Sequence, residues 1–185
     1  MRPVKLARHP RRSAFTLIEL LIVMSIIIVL AGLILATSGY MQKKGYRSRA
    51  EAEIAAMSAA LESYKADNGI YPTDSVTNAL NPTGTDTSTY RTASVVLYRA
   101  LSGDDDNGTD RVSESKTYFS FKPNQLGPVV PPQAKVDYIR DPFGNSYGYS
   151  TMKASNPAAS AGYNPTFDLW STCGSTDAAQ WVKNW

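Results

Sequence analysis

From Leu20 to Gln42 the chain carries no charged residue, and the apolar run that contains this stretch opens at Phe15 with a single carboxylate, Glu19, in its first turns. About 20 apolar residues suffice to cross a bilayer as a helix. This run therefore constrains the fold more than any other feature. A glutamate inside it costs roughly 2–4 kcal/mol or more, so Glu19 requires a partner or a purpose. Five cations, Arg2, Lys5, Arg8, Arg11 and Arg12, precede Phe15. Without residues 1–14, Lys plus Arg falls from 19 to 14 against 16 Asp plus Glu, a balance of −2. The formal charge of +3 thus belongs to the leader and does not mark a nucleic-acid-binding surface. Of the 185 residues, about 140 follow the run, enough for one modest core. The single cysteine, Cys173, excludes an intrachain disulfide and reads as an ordinary small packed residue.

Three readings of residues 1–42 compete. A secretory signal peptide has an apolar core of roughly 7–15 residues closed by a small-residue cleavage site. Here the run is longer, and Ala31 to Ala36 is the nearest candidate for such a site. An uncleaved signal anchor explains the basic flank, which stays cytoplasmic by the positive-inside rule. Neither accounts for Glu19 or for the change of character between Ala14 and Phe15.

The third reading does. The stretch Ala14-Phe15-Thr16-Leu17-Ile18-Glu19-Leu20-Leu21-Ile22-Val23 resembles the cleavage and methylation signature of type IV pilins and type II secretion pseudopilins. The resemblance implies that a prepilin peptidase cuts between Ala14 and Phe15, that Phe15 is N-methylated, and that Glu19 is the carboxylate used in assembly. Alanine stands at 14 where the family usually has glycine; it too is small, and cleavage is expected there. Physically, the new amine on Phe15 of one subunit would offset the desolvation of Glu19 on a neighbour and set the axial register.

Beyond the run, Gly32 and Gly39 allow close helix approach. Many relatives carry a proline near the end of this run; here Gly39 is the position left for any local break. Arg47–Glu51 and Arg49–Glu53 are spaced for i,i+4 pairs, and Ile54, Met57, Leu61 and Tyr64 form one apolar face. Asp67-Asn68-Gly69 followed by Pro72 ends the helix. One helix is therefore expected from about Phe15 to Asp67, roughly 80 Å long, as a shaft with a head on its far end. Residues 74–89 read as a surface loop and Ser94–Leu101 as a short helix. Strands are expected at Thr117–Lys122, Val136–Ile139, Ser146–Thr151 and Thr166–Ser171, with prolines between the first two and a turn at Asp141–Asn145. The stretches 62–73, 141–147 and 167–171 are again similar to the major pseudopilin of type II secretion, in which a small antiparallel sheet lies on the helix.

Metal ligands are weakly signalled. Asp104, Asp106 and Asp110 stand in an acid-rich segment, but an EF-hand register with Gly108 at position 6 and Glu114 at position 12 puts Gly103 where an aspartate should begin. An acidic turn is the preferred reading. Major pseudopilins often bind calcium after the last strand; the corresponding loop here, 172–180, keeps only Asp177. No metal site is carried over, and Trp181, Val182 and Trp185 are expected to pack the tail instead, leaving the head independent of calcium for its stability.

The sole histidine, His9, lies in the leader, and the sequence holds neither a nucleophile–base arrangement nor a phosphate-binding glycine loop. No enzyme is expected. The fold class expected is α+β and pilin-like, a long N-terminal helix packed on a small antiparallel sheet. The divisions are a leader at 1–14, a transmembrane and assembly half of the helix at 15–42, an amphipathic half at 43–68 and a periplasmic head at 69–185. The resemblance implies a single-pass protein of the bacterial inner membrane, N-terminus cytoplasmic and head periplasmic. It implies self-assembly into a helical filament that drives type II secretion, with the peptidase, minor pseudopilins and an inner-membrane assembly platform as partners, and no nucleic acid. The alternative is a type IV pilus serving adhesion, motility or DNA uptake. Mass spectrometry of assembled protein is expected to show a chain beginning at methylated Phe15; an intact Met1 would refute the processing.

Overall fold

The computed structural model describes residues 15–106, 113–128 and 135–185, with the side chains of 36–38 also left aside. The leader with Ala14, the segment containing Asp110, and Pro131 and Pro132 lie outside the described residues. The chain divides into two compact units, Met1–Gln42 and Lys43–Trp185. One helix, α1 (Leu17–Asn68), contributes to both and runs without interruption through Gly39. Its end follows the expected signal: Gly69 takes φ +79° and donates its N–H to the Lys65 carbonyl.

In the second unit the α1 residues Ala50, Ile54, Met57 and Leu61 are buried at helical spacing, with Tyr64 packed beside them. The same core cluster takes in α3 (Arg91–Ser102), amphipathic through Leu97, Tyr98 and Leu101, which packs on β2 and β3. Short strands complete the core. β1 (Leu126–Gly127) pairs antiparallel with β2 (Tyr138–Ile139), and β3 (Gly148–Ser150), β4 (Asp168–Ser171) and β5 (Val182–Lys183) form an antiparallel sheet with β4 central. The architecture is a pilin-like α+β fold. Two short helices were not foreseen. α2 (Ser75–Ala79) is closed by a reciprocal capping box between Asp74 and Thr77, and α4 (Met152–Ser155) follows β3.

Glycines stand opposite aromatic rings in both sheets. In the β3–β4 register Gly148 faces Trp170, and in the β1–β2 register Gly127 faces Tyr138. A Cβ on either glycine would meet the facing ring at 2.2 Å. The bare backbone is what lets each ring lie flat across the neighbouring strand. Trp170, fully buried, then meets Tyr90 edge-on at 5.1 Å and Trp185 at 5.9 Å.

Thr117–Lys122, expected as a strand, is not one. The N–H groups of Tyr118 and Phe119 both donate to the Leu101 carbonyl at 2.8 Å, the end of α3, rather than to a ladder. The alternating aromatics there pack on the core as irregular chain, Phe119 against Phe121 at 4.7 Å and Tyr118 against Tyr64 at 5.2 Å. Period-two hydrophobicity reports burial of alternate side chains, and an unfilled helix terminus can claim the backbone that a sheet would otherwise use.

Glu53 marks a second departure. Its pairing with Arg49 is as expected, Nε to Oε1 at 2.8 Å, but the carboxylate is buried and Oε2 accepts the Tyr147 hydroxyl at 2.7 Å. Burial and the neighbouring carboxylate push the Tyr147 phenol well above its ordinary range, so it stays a donor. At the Asp141 turn, Oδ1 accepts the N–H groups of Phe143 and Asn145 and Oδ2 accepts the Ser171 hydroxyl at 2.6 Å.

Gly148→Ala is expected to lower unfolding free energy by about 1–3 kcal/mol or more, read by denaturant titration of the detergent-solubilised chain. Burial raises the Asp141 carboxyl above its ordinary value. The folded state therefore holds its proton to higher pH than the unfolded state, and this group adds stability as pH falls through the raised value towards about 4. The Asp141→Asn variant should show a thermal midpoint that gains less, or falls more, between pH 7 and pH 4 than the parent chain.

Candidate assembly site at the start of the long helix

Every residue from Phe15 to Leu35 is exposed, Phe15 itself by 83%. The segment has no polar face: Leu17, Ile18, Leu20, Leu21, Ile22 and Val23 point to all sides of one helix. It is long and apolar enough to cross a membrane. The one polar side chain at its centre, Ser25, is internally satisfied by donating to the Ile22 carbonyl at 2.7 Å.

Glu19 has a local partner. The Thr16 N–H and hydroxyl donate to Glu19 Oε2 at 2.9 and 2.8 Å, and the Thr16 hydroxyl oxygen accepts the Glu19 N–H at 3.3 Å. Thr16 directly precedes the first helical residue. The arrangement is a reciprocal capping box, in which two donors that the helix cannot satisfy itself are closed by side chains. The carboxylate also stands at the positive end of the helix dipole. Sequence reasoning gave Glu19 an intermolecular purpose alone; the Thr-x-x-Glu spacing that signals the cap was legible beside it. Both hydrogen bonds fall on Oε2, and among the described residues Oε1 receives none.

The other sequence candidates fall elsewhere. Asp177 is exposed and caps a single turn, Oδ1 accepting the Ala179 N–H at 2.9 Å and Oδ2 the Gln180 amide at 3.3 Å. Its loop is closed by the buried Trp181, whose indole donates to the Ser175 carbonyl at 2.8 Å. Arg47 ties the same segment to α1 by donating to the Gln180 carbonyl at 2.6 Å. Asp104 and Asp106 do converge, together with Glu114, which the sequence placed only at the end of a failed EF-hand register.

Comparison with known proteins finds a match at the N-terminus. Residues 9–35 fit the prokaryotic N-terminal methylation motif. A stretch of 63 residues is 38% identical to the type II secretion system core protein G of Aeromonas hydrophila, covering 34% of this chain and 44% of that protein. No solved structure matches. The N-terminal segment of the chain is thus type IV pilin-like. Over a third of its length it is a distant homologue of core protein G.

Thr16→Ala is expected to cost about 0.5–2 kcal/mol of local helix stability. The measurement is amide exchange in detergent, with faster exchange at Leu17 to Leu20 and no change beyond Ser25.

Proposed function

We propose that this chain is a subunit of a periplasmic pseudopilus of type II secretion, processed between Ala14 and Phe15, methylated on Phe15 and polymerised through α1. The observation that carries the reading is a helix with every side chain from Phe15 to Leu35 exposed and one carboxylate, Glu19, whose Oε1 is open to a further donor. Before assembly the bilayer covers the apolar surface; in the filament neighbouring helices replace the lipid. The amine on Phe15 of a neighbour supplies the missing donor for Glu19, and the pair fixes the axial step between subunits. The leader cations hold the N-terminus on the cytoplasmic side and direct the C-terminal unit to the periplasm. The peptidase, minor pseudopilins and an inner-membrane platform act on this same segment.

Secretion is favoured over a surface pilus by the similarity to core protein G and by the lone Cys173, since major pilins usually carry a C-terminal cysteine pair.

Glu19→Gln keeps an oxygen for Thr16 but removes the charge, and Glu19→Ala removes both. Both variants are expected to insert in the membrane at parental levels and to yield no filaments by shearing and electron microscopy. Normal filaments from Glu19→Gln would show that the cap alone is the role of Glu19.

A further inference from the structure

At the C-terminal end of α3 three carboxylates converge. One oxygen from each of Asp104, Asp106 and Glu114 lies within 4.8 Å of the others. Asp104 is 1% exposed; its Oδ2 accepts the Tyr98 hydroxyl at 2.6 Å, while Oδ1 is buried and has no hydrogen-bond partner. A buried carboxylate oxygen without a donor costs several times what an ordinary hydrogen bond returns. Among the described residues no lysine or arginine forms an ion pair with Asp104 or Glu114. The location adds to the cost, because the last carbonyls of α3 present the negative end of its dipole to the same place.

The backbone is built to bring these groups together. Gly103, at φ +77°, closes α3 by donating to the Arg99 carbonyl. Its own carbonyl accepts the N–H groups of Glu114 and Ser115 at 2.8 and 2.9 Å. A Cβ on Gly103 would meet the Ser115 carbonyl oxygen at 2.5 Å, so only glycine permits the approach. The Asp105 N–H donates to Glu114 Oε2 at 2.7 Å and fixes the glutamate over the turn.

We infer that Asp104, Asp106 and Glu114 form a binding site for a divalent cation of calcium size. Oxygen ligands lie 2.3–2.6 Å from calcium, so a coordination sphere spans about 4.6–5.2 Å. The 4.8 Å limit on the three oxygens fits within that span. Bound cation would supply the partner that Asp104 Oδ1 lacks and relieve the repulsion among the three groups. This site lies after α3, away from the Asp177 loop, and departs from the acidic-turn reading of the sequence.

The test uses the full-length chain in detergent. Terbium, an ion of calcium's size and ligand preference, is titrated with excitation of tyrosine, since Tyr98 touches Asp104. Saturable emission, displaced by calcium in a magnesium-containing buffer, is expected, along with a higher thermal midpoint in calcium than in chelator. The paired exposed substitutions Asp106→Asn and Glu114→Gln should weaken binding at least about tenfold. In chelator the same variant should keep the parent's far-ultraviolet circular dichroism, so that lost binding is not lost fold. Absence of saturable binding, or an equal calcium shift in the variant, would overturn the assignment.

Discussion

The apolar surface of residues 15–35 is the constraint on which the rest depends. A helix exposed on every side cannot persist in water as a monomer, because each leucine or isoleucine left there forgoes about 1.5–3 kcal/mol of burial. No part of the described chain covers it. Something outside the chain must: a bilayer would cover it, and in the proposed filament other copies would. The free-energy difference between those two environments is small for apolar side chains, since lipid tails are as apolar as leucine. Polar groups must therefore decide when and in what register the helices leave one for the other.

Among the described residues from Phe15 to Leu35, Glu19 is the one ionisable side chain, and the proposed assembly gives it that part. Its two oxygens are divided between tasks. One closes the helix start through Thr16, and the other is open. The cap holds the carboxylate in a fixed direction at the first turn, so an incoming amine meets a preorganised acceptor rather than a mobile side chain. The cap gives Glu19 a folding reason, and the proposed pairing would add an assembly reason. The C-terminal unit has a different logic. Several of its polar groups are closed inward, through Arg49, Glu53 and Tyr147 on one side and Asp141 with Ser171 on the other. It is a body held together by aromatic packing around Trp170 and by the capped tail loop, with its acidic exception after α3.

Much of this was legible in the sequence. The long helix, its Ile54-Met57-Leu61 stripe, the Asp141 turn and the β4 strand follow from spacing and composition, and the N-terminal methylation motif was visible as a family resemblance. What was not legible depended on long-range geometry. Glu53 reads as a surface i,i+4 partner until Tyr147, 94 residues away, is brought over it. Thr117–Lys122 alternates as a strand does, yet its N–H groups serve the end of α3. The strands are shorter than their hydrophobic patterns because aromatic packing continues after the ladder stops. The grouping of Glu114 with Asp104 and Asp106 required the fold at Gly103, since no standard ligand spacing links them.

The central claim is that Glu19 of one subunit neutralises the amine of another. A helical reconstruction of filaments formed by the mature protein, at a resolution that shows side chains, tests it most directly. The account predicts the Glu19 carboxylate within about 4 Å of the Phe15 amine of an adjacent subunit, with Thr16 still capping the helix. A filament in which Glu19 faces solvent, or in which the Phe15 amines lie far from every Glu19, would contradict it.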